Sequence, residues 1–520
     1  MALNDLLNLH ERPTRRGEFI KLGIALFFLA IIYFFTRRHF GDLREGNLLI
    51  IAAIIGGYMA MNIGANDVAN NVGPTVGSLA LTLGGAILIA AIFEAAGALI
   101  AGGDVVGTIK KGIIDPGFLN DADSFVWLMM AALLAGALWL NIATAAGAPV
   151  STTHSIVGGV LGAGIAAGGM DVANWPKMGA IVASWVISPL IGGIIAAGFL
   201  YLTKRTITYK KDMRAAAKRM VPLLVAAMAW AFATYLVMKG LKHVWKTDFG
   251  TALMIGLVVA VAVYLLVRPR IARTADGLPP GKASINKLFT IPLIFAAALL
   301  SFAHGANDVA NAVGPLAAIN DAIQHGAIAK KAAIPLWVML VGALGIAIGL
   351  ALYGPKLIRT VGSEITDLDQ QRAFCIAMAA AITVIIASQL GLPVSSTHIA
   401  VGAVFGVGFL REFLKTNYAL MIEEIRAHHQ GETQAVVDAY LRRFEAATTE
   451  QRGQMLAELK AKRTDTGLSK KDRKRLKKVY KHELVKRSAF MRIIAAWVIT
   501  VPASGIMAAM LYYMIRGMML

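Results

Sequence analysis

The sequence predicts an all-α polytopic membrane protein of about 12 transmembrane helices, arranged as two inverted-topology repeats with broken or re-entrant half-helices at the midplane. Composition is the first of three observations behind this fold class. Of 520 residues, 57% are hydrophobic and only 16% are charged, and the mean hydropathy is +0.63. A soluble domain carries about 25% charged residues.

Apolar segments that follow one another along the chain are the second observation. Thirteen such segments lie between residues 19 and 515. Most approach the roughly 20 residues that cross a bilayer core of about 30 Å, and the shorter ones are candidates for half-helices. The first, at 19–36, is followed by Arg37-Arg38 and not by a small-residue cleavage site, so we expect a retained helix and not a signal peptide.

A duplicated pair of polar motifs is the third observation. The motif GANDVANNVGP, Gly64–Pro74, returns as GANDVANAVGP, Gly305–Pro315. The motif PVSTTH, Pro149–His154, returns as PVSSTH, Pro393–His398. Both motifs recur in the same order and at nearly the same separation, which indicates two homologous halves.

The charges and repeats divide the chain into six parts. We expect an N-terminal segment with an accessory helix (1–46), transport repeat 1 (47–203), basic loops with two accessory helices (204–287), transport repeat 2 (288–411), a charged helical loop (412–488) and a C-terminal transmembrane helix (489–520). Seven apolar segments separate the two GAND motifs. An odd number predicts that the second copy enters the membrane from the opposite side, as in the inverted repeats of secondary transporters.

The formal charge of +20 is concentrated in loops, at 204–219, 268–287 and 460–487. This distribution is typical of cytoplasmic loops beside anionic lipid and argues against nucleic-acid binding. We therefore expect a multi-pass protein of the inner membrane with 412–488 in the cytoplasm. That loop is either a solvated segment or a regulatory module. The single cysteine, Cys375, excludes an intramolecular disulfide.

Each PVS(T/S)TH motif predicts the start of a helix inside the membrane. Proline disfavours helical geometry in the residue before it, and Ser or Thr is a preferred N-cap. Helix N-termini bind oxyanions through unpaired N–H groups, so two such starts would surround a tetrahedral oxyanion. The candidate anion-binding hydroxyls are those of Ser151, Thr152, Thr153, Ser395, Ser396 and Thr397. The alternative is that these hydroxyls bond only to helix backbones.

Each GAND motif brings a carboxylate and two amides together on one helical turn, with glycines that favour a local break. An acid at this depth is a functional-site hypothesis, and its oxygens suit a hard cation such as sodium. An acid beside an anionic substrate requires a cation or proton between them, which is the basis of coupled transport. The alternative is interhelical hydrogen bonding. The candidate cation-coupling residues of the motifs are Asn66, Asp67, Asn307 and Asp308, with sodium expected at the two aspartates. The candidate phosphate-binding amides are those of Asn66, Asn70, Asn307 and Asn311.

Four further ionisable residues lie in apolar stretches. Glu94 is expected to point into the polar interior and take part in cation coupling. His154 and His398 follow the hydroxyl clusters, where each either titrates or packs as a neutral ring. His304 precedes the second GAND motif, but Ile63 stands at the matching place, which argues against a symmetric role.

Together these motifs resemble the inorganic phosphate transporter family of the PiT type, whose hallmarks are the duplicated GANDVAN and PVSTTH-like elements. The similarity covers about 47–203 and 288–411 and the final helix. It implies symport of inorganic phosphate with sodium or protons. The amino-acid sequence of the first motif resembles that of the sodium-coupled branch of the family more closely. Carried onto this chain, it indicates the six GAND residues and both hydroxyl clusters as the site.

Other functions remain open at this point. A sulfate or other oxyanion permease would have the same fold, and an anion channel or a phosphate-sensing membrane receptor would belong to a different class. The sequence has no GxxxxGK(S/T) loop for ATP hydrolysis, and we expect neither an enzyme nor a cofactor beyond the co-transported ion. The expected partners are phosphate, sodium or a proton, and the lipid bilayer. Homo-oligomerisation is left open.

Overall fold

The computed structural model describes residues 15–43, 45–119, 121–239, 247–279, 281–325, 334–364, 368–426 and 487–520. Within these ranges the chain forms helices joined by short loops, with one antiparallel β-bridge between Ile114 and Ala173. The predicted all-α class is confirmed. Most of the predicted loop 412–488 lies outside the described residues.

The helices are numbered in chain order. The first eight are α1 (Arg15–Phe40), α2 (Gly46–Asn66), α3 (Val68–Gly77), α4 (Leu83–Ala101), α5 (Gly103–Lys111), α6 (Ala122–Ala146), α7 (Thr152–Gly168) and α8 (Trp175–Thr203). The others are α9 (Met213–Lys239), α10 (Phe249–Asp276), α11 (Lys282–Lys287), α12 (Thr290–Asp308), α13 (Ala310–His325), α14 (Leu336–Glu364), α15 (Gln370–Gln389), α16 (Ser396–Arg426) and α17 (Arg487–Met519).

Among the described residues, 12 helices are long and apolar enough to cross a membrane, which agrees with the number predicted. Two of these spans are interrupted helices, and α2 with α3 forms one of them over Gly46–Gly77. Helix α7 has 17 residues, and at about 1.5 Å per residue it is shorter than a bilayer core of about 30 Å. It lies at the lower end of the roughly 17–25 residues that transmembrane helices have.

The GAND motifs lie where two long helices break. Helix α2 ends at Asn66 and α3 begins at Val68, so Asp67 occupies the break. Helices α12 and α13 are separated in the same way at Val309. Such breaks leave backbone groups without helical partners, which is tolerated at membrane depth only where the backbone is buried in protein or lines a cavity.

Equivalent helices of the two halves pack in equivalent pairs. Helix α2 packs against α14, and its counterpart α12 packs against α4. Helix α16 packs against α8, and α7 packs against the final helix α17. The final helix α17 thus packs against α7 of the first half in the way that α8 packs against the equivalent helix, α16, of the second half. The inverted orientation of the halves in a membrane stays a prediction.

Glycines allow two of these pairs to approach closely. A Cβ atom on Gly64 would lie 1.9 Å from the carbonyl oxygen of Ile346, and one on Gly305 would lie 2.2 Å from that of Glu94. Both distances are far below van der Waals contact. Because Gly64 meets Ile346 in the way that Gly305 meets Glu94, Ile346 is the structural counterpart of Glu94.

Candidate functional site

Both PVS(T/S)TH motifs begin helices, as the sequence predicts. Ser151 caps α7, and its Oγ accepts a hydrogen bond from the His154 N–H at 3.1 Å. Ser395 precedes α16, and its Oγ accepts from the His398 N–H at 3.2 Å. The N–H groups of Thr152 and Thr153, and of Ser396 and Thr397, come before the first backbone hydrogen bonds of the two helices, which run from Ser155 N–H to the Ser151 carbonyl and from Ile399 N–H to the Ser395 carbonyl.

The two helix starts meet in the interior. The Thr153 hydroxyl donates to the Val394 carbonyl of the other half at 3.0 Å. Every residue predicted for the site exposes at most 2% of its surface. The buried predicted residues are Asn66, Asp67, Asn70, Glu94, Ser151, Thr152, Thr153, Asn307, Asp308, Asn311, Ser395, Ser396 and Thr397.

The first amide of each GAND motif holds the loop that leads to the helix start in its own half. Asn66 donates to the Thr144 hydroxyl at 2.9 Å and accepts from the Val150 N–H at 3.0 Å. Asn307 repeats the first contact, donating to the Ser388 hydroxyl at 2.8 Å. These contacts fix the position of each helix start relative to its broken helix.

The second amide of each motif reaches the opposite half. Asn70 donates to the Thr397 hydroxyl at 2.9 Å. Asn311 donates to the hydroxyls of Thr152 and Thr153 at 3.0 and 3.2 Å. The two halves are thus joined at the site by reciprocal hydrogen bonds, and a contact in either half bears on the geometry of both.

The aspartates accept from the hydroxyl clusters. Asp67 accepts from Thr152 at 2.6 Å and from Thr397 at 3.0 Å, so both halves contribute to it. Asp308 accepts from Ser396 at 2.8 Å. The alternative that the hydroxyls bond only to helix backbones does not hold for Thr152, Ser396 and Thr397.

Oxygen atoms suited to a cation surround the aspartates. One oxygen each of Asp67 and Asp308 and a ring nitrogen of His304 lie within 4.8 Å of one another. Buried oxygens of Asn70, Asn307 and Asp308 have no hydrogen-bond partner within the described part of the chain. At 4.8 Å, the upper limit of the distance between these oxygens, two ionised carboxylates would repel by about 3.5 kcal/mol at an effective dielectric constant of about 20, which a shared cation would offset.

His304 is the functional candidate that sequence reasoning set aside. Its Nδ1 lies 2.6 Å from Glu94 Oε2, and its Nε2 lies 2.7 Å from Asp308 Oδ2. Asn71 donates to the other Glu94 oxygen at 2.8 Å. Glu94 is therefore connected to the site through His304. The equivalent positions of the other half hold Ile63 and Ile346, so this chain of polar groups has no symmetric copy.

His154 and His398 pack in an aromatic cluster. Their ring centroids are 4.3 Å apart, and those of His154 and Trp185 are 3.8 Å apart. The rings of His398 and Trp497 stack at 3.5 Å. The helix starts are thereby supported by four rings, which favours the packing role among the two alternatives for these histidines.

Comparison with known proteins identifies the family. A sequence profile of the phosphate transporter family matches residues 63–508, most of the chain. The chain belongs to the phosphate transporter family. A Helicobacter pylori strain J99 protein named "Putative phosphate permease" is 54% identical over 504 residues, which cover 95% of this chain and 94% of that protein. A Pyrococcus abyssi relative with the same description is 39% identical over 72% of this chain and 91% of its own length.

A solved structure is also similar to this phosphate transporter family member. It is described as "The sodium-dependent phosphate transporter", with a TM-score of 0.74 and 30% sequence identity. The match covers 90% of this chain and 99% of that one. The polytopic fold and the family predicted from the sequence are therefore confirmed.

Proposed function

We propose that the protein is a secondary active symporter that imports inorganic phosphate across the cytoplasmic membrane together with sodium. The observation that carries this proposal is the convergence of two helix starts, one from each half, on a pair of buried aspartates. The first feature attracts an oxyanion and the second a cation, and they share hydroxyl groups.

Phosphate would be bound by the first-turn N–H groups of α7 and α16 and by hydroxyls around them. Helix N-termini carry partial positive charge and unpaired donors, so they hold a phosphate without a lysine or arginine. The hydroxyls of Thr152, Ser396 and Thr397 donate to the aspartates in the structure described here. Hydroxyl hydrogens rotate, so the same groups can turn from carboxylate to phosphate.

Coupling follows from charge. A phosphate anion placed beside Asp67 and Asp308 is repelled by both unless a cation lies between them. The buried oxygens of Asn70, Asn307 and Asp308 that lack a hydrogen-bond partner within the described residues are hard ligands suited to sodium. The similar solved structure is also described as a sodium-dependent phosphate transporter. Protons are the alternative co-substrate.

Transport would proceed by alternating access. The reciprocal bonds from Asn70 to Thr397 and from Asn311 to Thr153 join the halves at the site itself. Rocking of one half against the other around this point would expose the site to each side in turn, as in other inverted-repeat carriers.

The test is uptake of labelled phosphate into proteoliposomes with sodium and pH gradients imposed separately. The proposal predicts uphill accumulation that follows the sodium gradient and collapses with it. Accumulation driven by a pH gradient alone would replace sodium with protons. Passive equilibration of phosphate that depends on neither gradient would indicate a channel. Inhibition of uptake by sulfate at lower concentrations than by unlabelled phosphate would indicate that sulfate is the preferred substrate.

The site assignment is tested in the same assay. Asp67→Asn and Asp308→Asn are expected to abolish phosphate accumulation, while each variant reaches the membrane at the normal level. Asp212→Asn is the matched control, because Asp212 lies in the loop before α9 and is exposed. Normal accumulation by both site variants would reject the assignment.

A further inference from the structure

A large cavity lies between α1, α2, α6 and α14, next to the broken helix of the first half. Its volume is about 1180 Å³. Thr144 lines this cavity and accepts a hydrogen bond from Asn66 at 2.9 Å. The cavity therefore ends one hydrogen bond away from the first GAND motif and forms an approach to the candidate site from one direction.

The two halves can be matched residue by residue around this cavity. A Cβ atom on Gly349 would lie 1.9 Å from the carbonyl oxygen of Met61, and one on Gly97 would lie 2.0 Å from that of Phe302. These contacts repeat the register of the two GAND glycines, so Phe302 is the counterpart of Met61. By this register and that of the PVS(T/S)TH motifs, the cavity-lining residues Met61, Ala65, Asn141 and Tyr353 correspond to Phe302, Ala306, Ile385 and Ala101.

In the second half the equivalent place is occupied by side chains. The four counterparts belong to one apolar cluster or pack against it, and the described residues concerned are Ala101, Tyr235, Phe302, Ala306 and Ile385. The first four of these expose at most 9% of their surface. One half thus has a cavity next to its GAND motif, while the other half has a packed apolar cluster there.

The extra side chains in this cluster come from α9, a helix without a counterpart in the repeats. The ring centroids of Phe232 and Tyr235 lie 5.4 and 6.1 Å from that of Phe302, and both ring pairs meet edge to face. Ile385 lies one helical turn before Ser388, which accepts a hydrogen bond from the second GAND motif. The cluster therefore ends at the hydrogen bond that is equivalent to the one at the end of the cavity.

The distribution of charge indicates which side each feature faces. The cavity is lined by α1 from Gly17 onward, directly after the basic N-terminal segment. Tyr235 lies near the end of α9, about 33 Å from the start of that helix, which begins within the basic segment 204–219. With the basic segments in the cytoplasm, as the sequence predicts, the cavity lies on the cytoplasmic side and the cluster on the outer side.

We propose that Phe232, Tyr235 and Phe302 form the outer gate of the transport pathway, and that the cavity is the open cytoplasmic half of the same pathway. This inference rests on the proposed function. When the halves rock, α9 separates from Phe302 and a space opens beside Ile385, while the cavity beside Asn141 closes. The accessory helix α9 is thereby assigned a part in transport that the repeats alone do not supply.

Aromatic rings suit a gate that must stop ions. Edge-to-face ring pairs pack closely and bury a large apolar area. A phosphate or sodium ion would have to lose its hydration to cross such a layer, which is costly without polar partners. The closed gate therefore prevents leakage while the site is open to the cytoplasm. Because the ring contacts exist only in the closed state, removal of one ring favours the state that is open to the outside.

The experiment uses two reporter thiols at equivalent positions, Asn141→Cys in the cavity and Ile385→Cys beside the gate. The native Cys375 is buried, so background labelling is low. The labelling rate with a membrane-impermeant methanethiosulfonate is measured in right-side-out and inside-out vesicles. Each reporter is then combined with Phe232→Ala or with Tyr235→Ala.

The gate predicts linked changes on the two sides of the membrane. Asn141→Cys should be labelled from the cytoplasmic side only and Ile385→Cys from the outer side only. Each alanine substitution should speed labelling of Ile385→Cys by at least about tenfold, because a buried ring stabilises one state and its loss shifts the ratio of states by at least that factor. The same substitution should slow labelling of Asn141→Cys, because one state is converted into the other.

Leu223→Ala is the matched control, since Leu223 also lies on α9 but is 49% exposed and outside the cluster. It should leave both labelling rates unchanged. Faster labelling of Ile385→Cys without slower labelling of Asn141→Cys would indicate local loosening of the packing and would overturn the proposal. Labelling of either reporter from the opposite side would overturn it as well.

A second measurement leaves the gate intact, in case the alanine variants fold poorly. With Phe232 and Tyr235 unchanged, sodium and phosphate are added together or omitted, and both labelling rates are measured again. The rates of Asn141→Cys and Ile385→Cys should change in opposite directions. Rates that change in the same direction, or that do not respond, would overturn the proposal.

The two assays separate this inference from the proposed function. Opposite changes in labelling, together with no phosphate uptake by the unmodified protein, would reject the proposed function alone. Phosphate uptake that follows the sodium gradient, together with labelling rates that are not linked, would reject the outer gate alone.

Discussion

At the scale of single residues, the Thr397 hydroxyl joins the two halves of the protein at the site. Its hydroxyl donates to Asp67 at 3.0 Å and accepts from Asn70 at 2.9 Å. The residue belongs to one half and both partners to the other. A single hydroxyl therefore links the proposed phosphate-binding helix start of one repeat to the proposed cation-binding carboxylate of the other.

We predict that Thr397→Val raises the apparent KM for phosphate by at least about tenfold, since a hydrogen bond to a charged group contributes about 1.5–3 kcal/mol. Thr397→Ser should restore most of the affinity. Thr383→Val is the control, because the buried Thr383 hydroxyl bonds only to the Ala379 carbonyl of its own helix. Initial rates of labelled phosphate uptake against concentration give the comparison, and equal KM values for both valine variants would contradict it.

Glu94 and His304 show how one polar pair differentiates the two halves. The equivalent positions of the other half hold Ile63 and Ile346, which are both buried and apolar. Removing one partner of a buried ion pair costs about 3–5 kcal/mol, whereas replacing both with apolar residues of similar volume is close to neutral.

We therefore predict that Glu94→Leu and His304→Leu each lower the thermal stability of the purified protein. The double variant should be more stable than the sum of the two single effects, a coupling that a double-mutant cycle measures. Phosphate uptake should be lost in all three variants, because His304 also contacts Asp308. Additive losses of stability would show that the two side chains do not act as a pair.

At the scale of helices, the pairs α2–α14 and α12–α4 position the broken segments. Each pair approaches closely at the glycine that opens a GAND motif, and again at a glycine of the partner helix, Gly349 or Gly97. The motif is therefore partly a packing motif: its glycine brings the neighbouring helix to the break, and the polar residues that follow use the space created there.

Gly64→Ala and Gly305→Ala are predicted to destabilise the protein by more than the 1–3 kcal/mol typical of overpacking, because the added methyl would meet a backbone carbonyl at 1.9 or 2.2 Å. Gly198→Ala in α8 is the control, since nothing lies within 4 Å of its added methyl. Melting temperatures in detergent report the difference. Unchanged melting temperatures for the Gly64→Ala and Gly305→Ala variants would contradict this prediction, since they would mean that the helices of each pair move apart without loss of stability.

The sequence predicted elements better than contacts between them. Pro before a hydroxyl cluster marked both helix starts, and Gly64 and Gly305 marked both breaks, because capping and backbone freedom are local properties. The contact of Glu94 with His304 joins residues far apart in sequence, and no spacing or periodicity encodes which helices touch. Comparison of the two halves did not indicate this contact, because His304 is matched by Ile63 and a residue without a symmetric counterpart was given little weight.

At the scale of the whole molecule, the residues that the structure describes include every residue of the candidate site. None of its residues lies in 427–486, the part of the predicted cytoplasmic loop that falls outside the described residues. A receptor that signals through this loop would need it for activity, whereas a carrier would transport phosphate without it.

We predict that replacing 427–486 with a flexible Gly/Ser linker leaves the rate of phosphate uptake within about twofold of the unmodified protein, given a linker long enough to span the gap. Uptake should be normalised to the amount of protein in the membrane. A properly inserted variant that has lost uptake would assign this segment to the transport cycle.

The most direct test of the shared site is equilibrium binding of phosphate to the detergent-purified protein at a series of sodium concentrations. If both ions occupy one site, sodium must raise phosphate affinity and phosphate must raise sodium affinity by the same factor, expected to be about tenfold or more. Asp67→Asn should abolish this coupling. Phosphate affinity that stays constant across sodium concentrations would contradict the shared site and the sodium-coupled mechanism built on it.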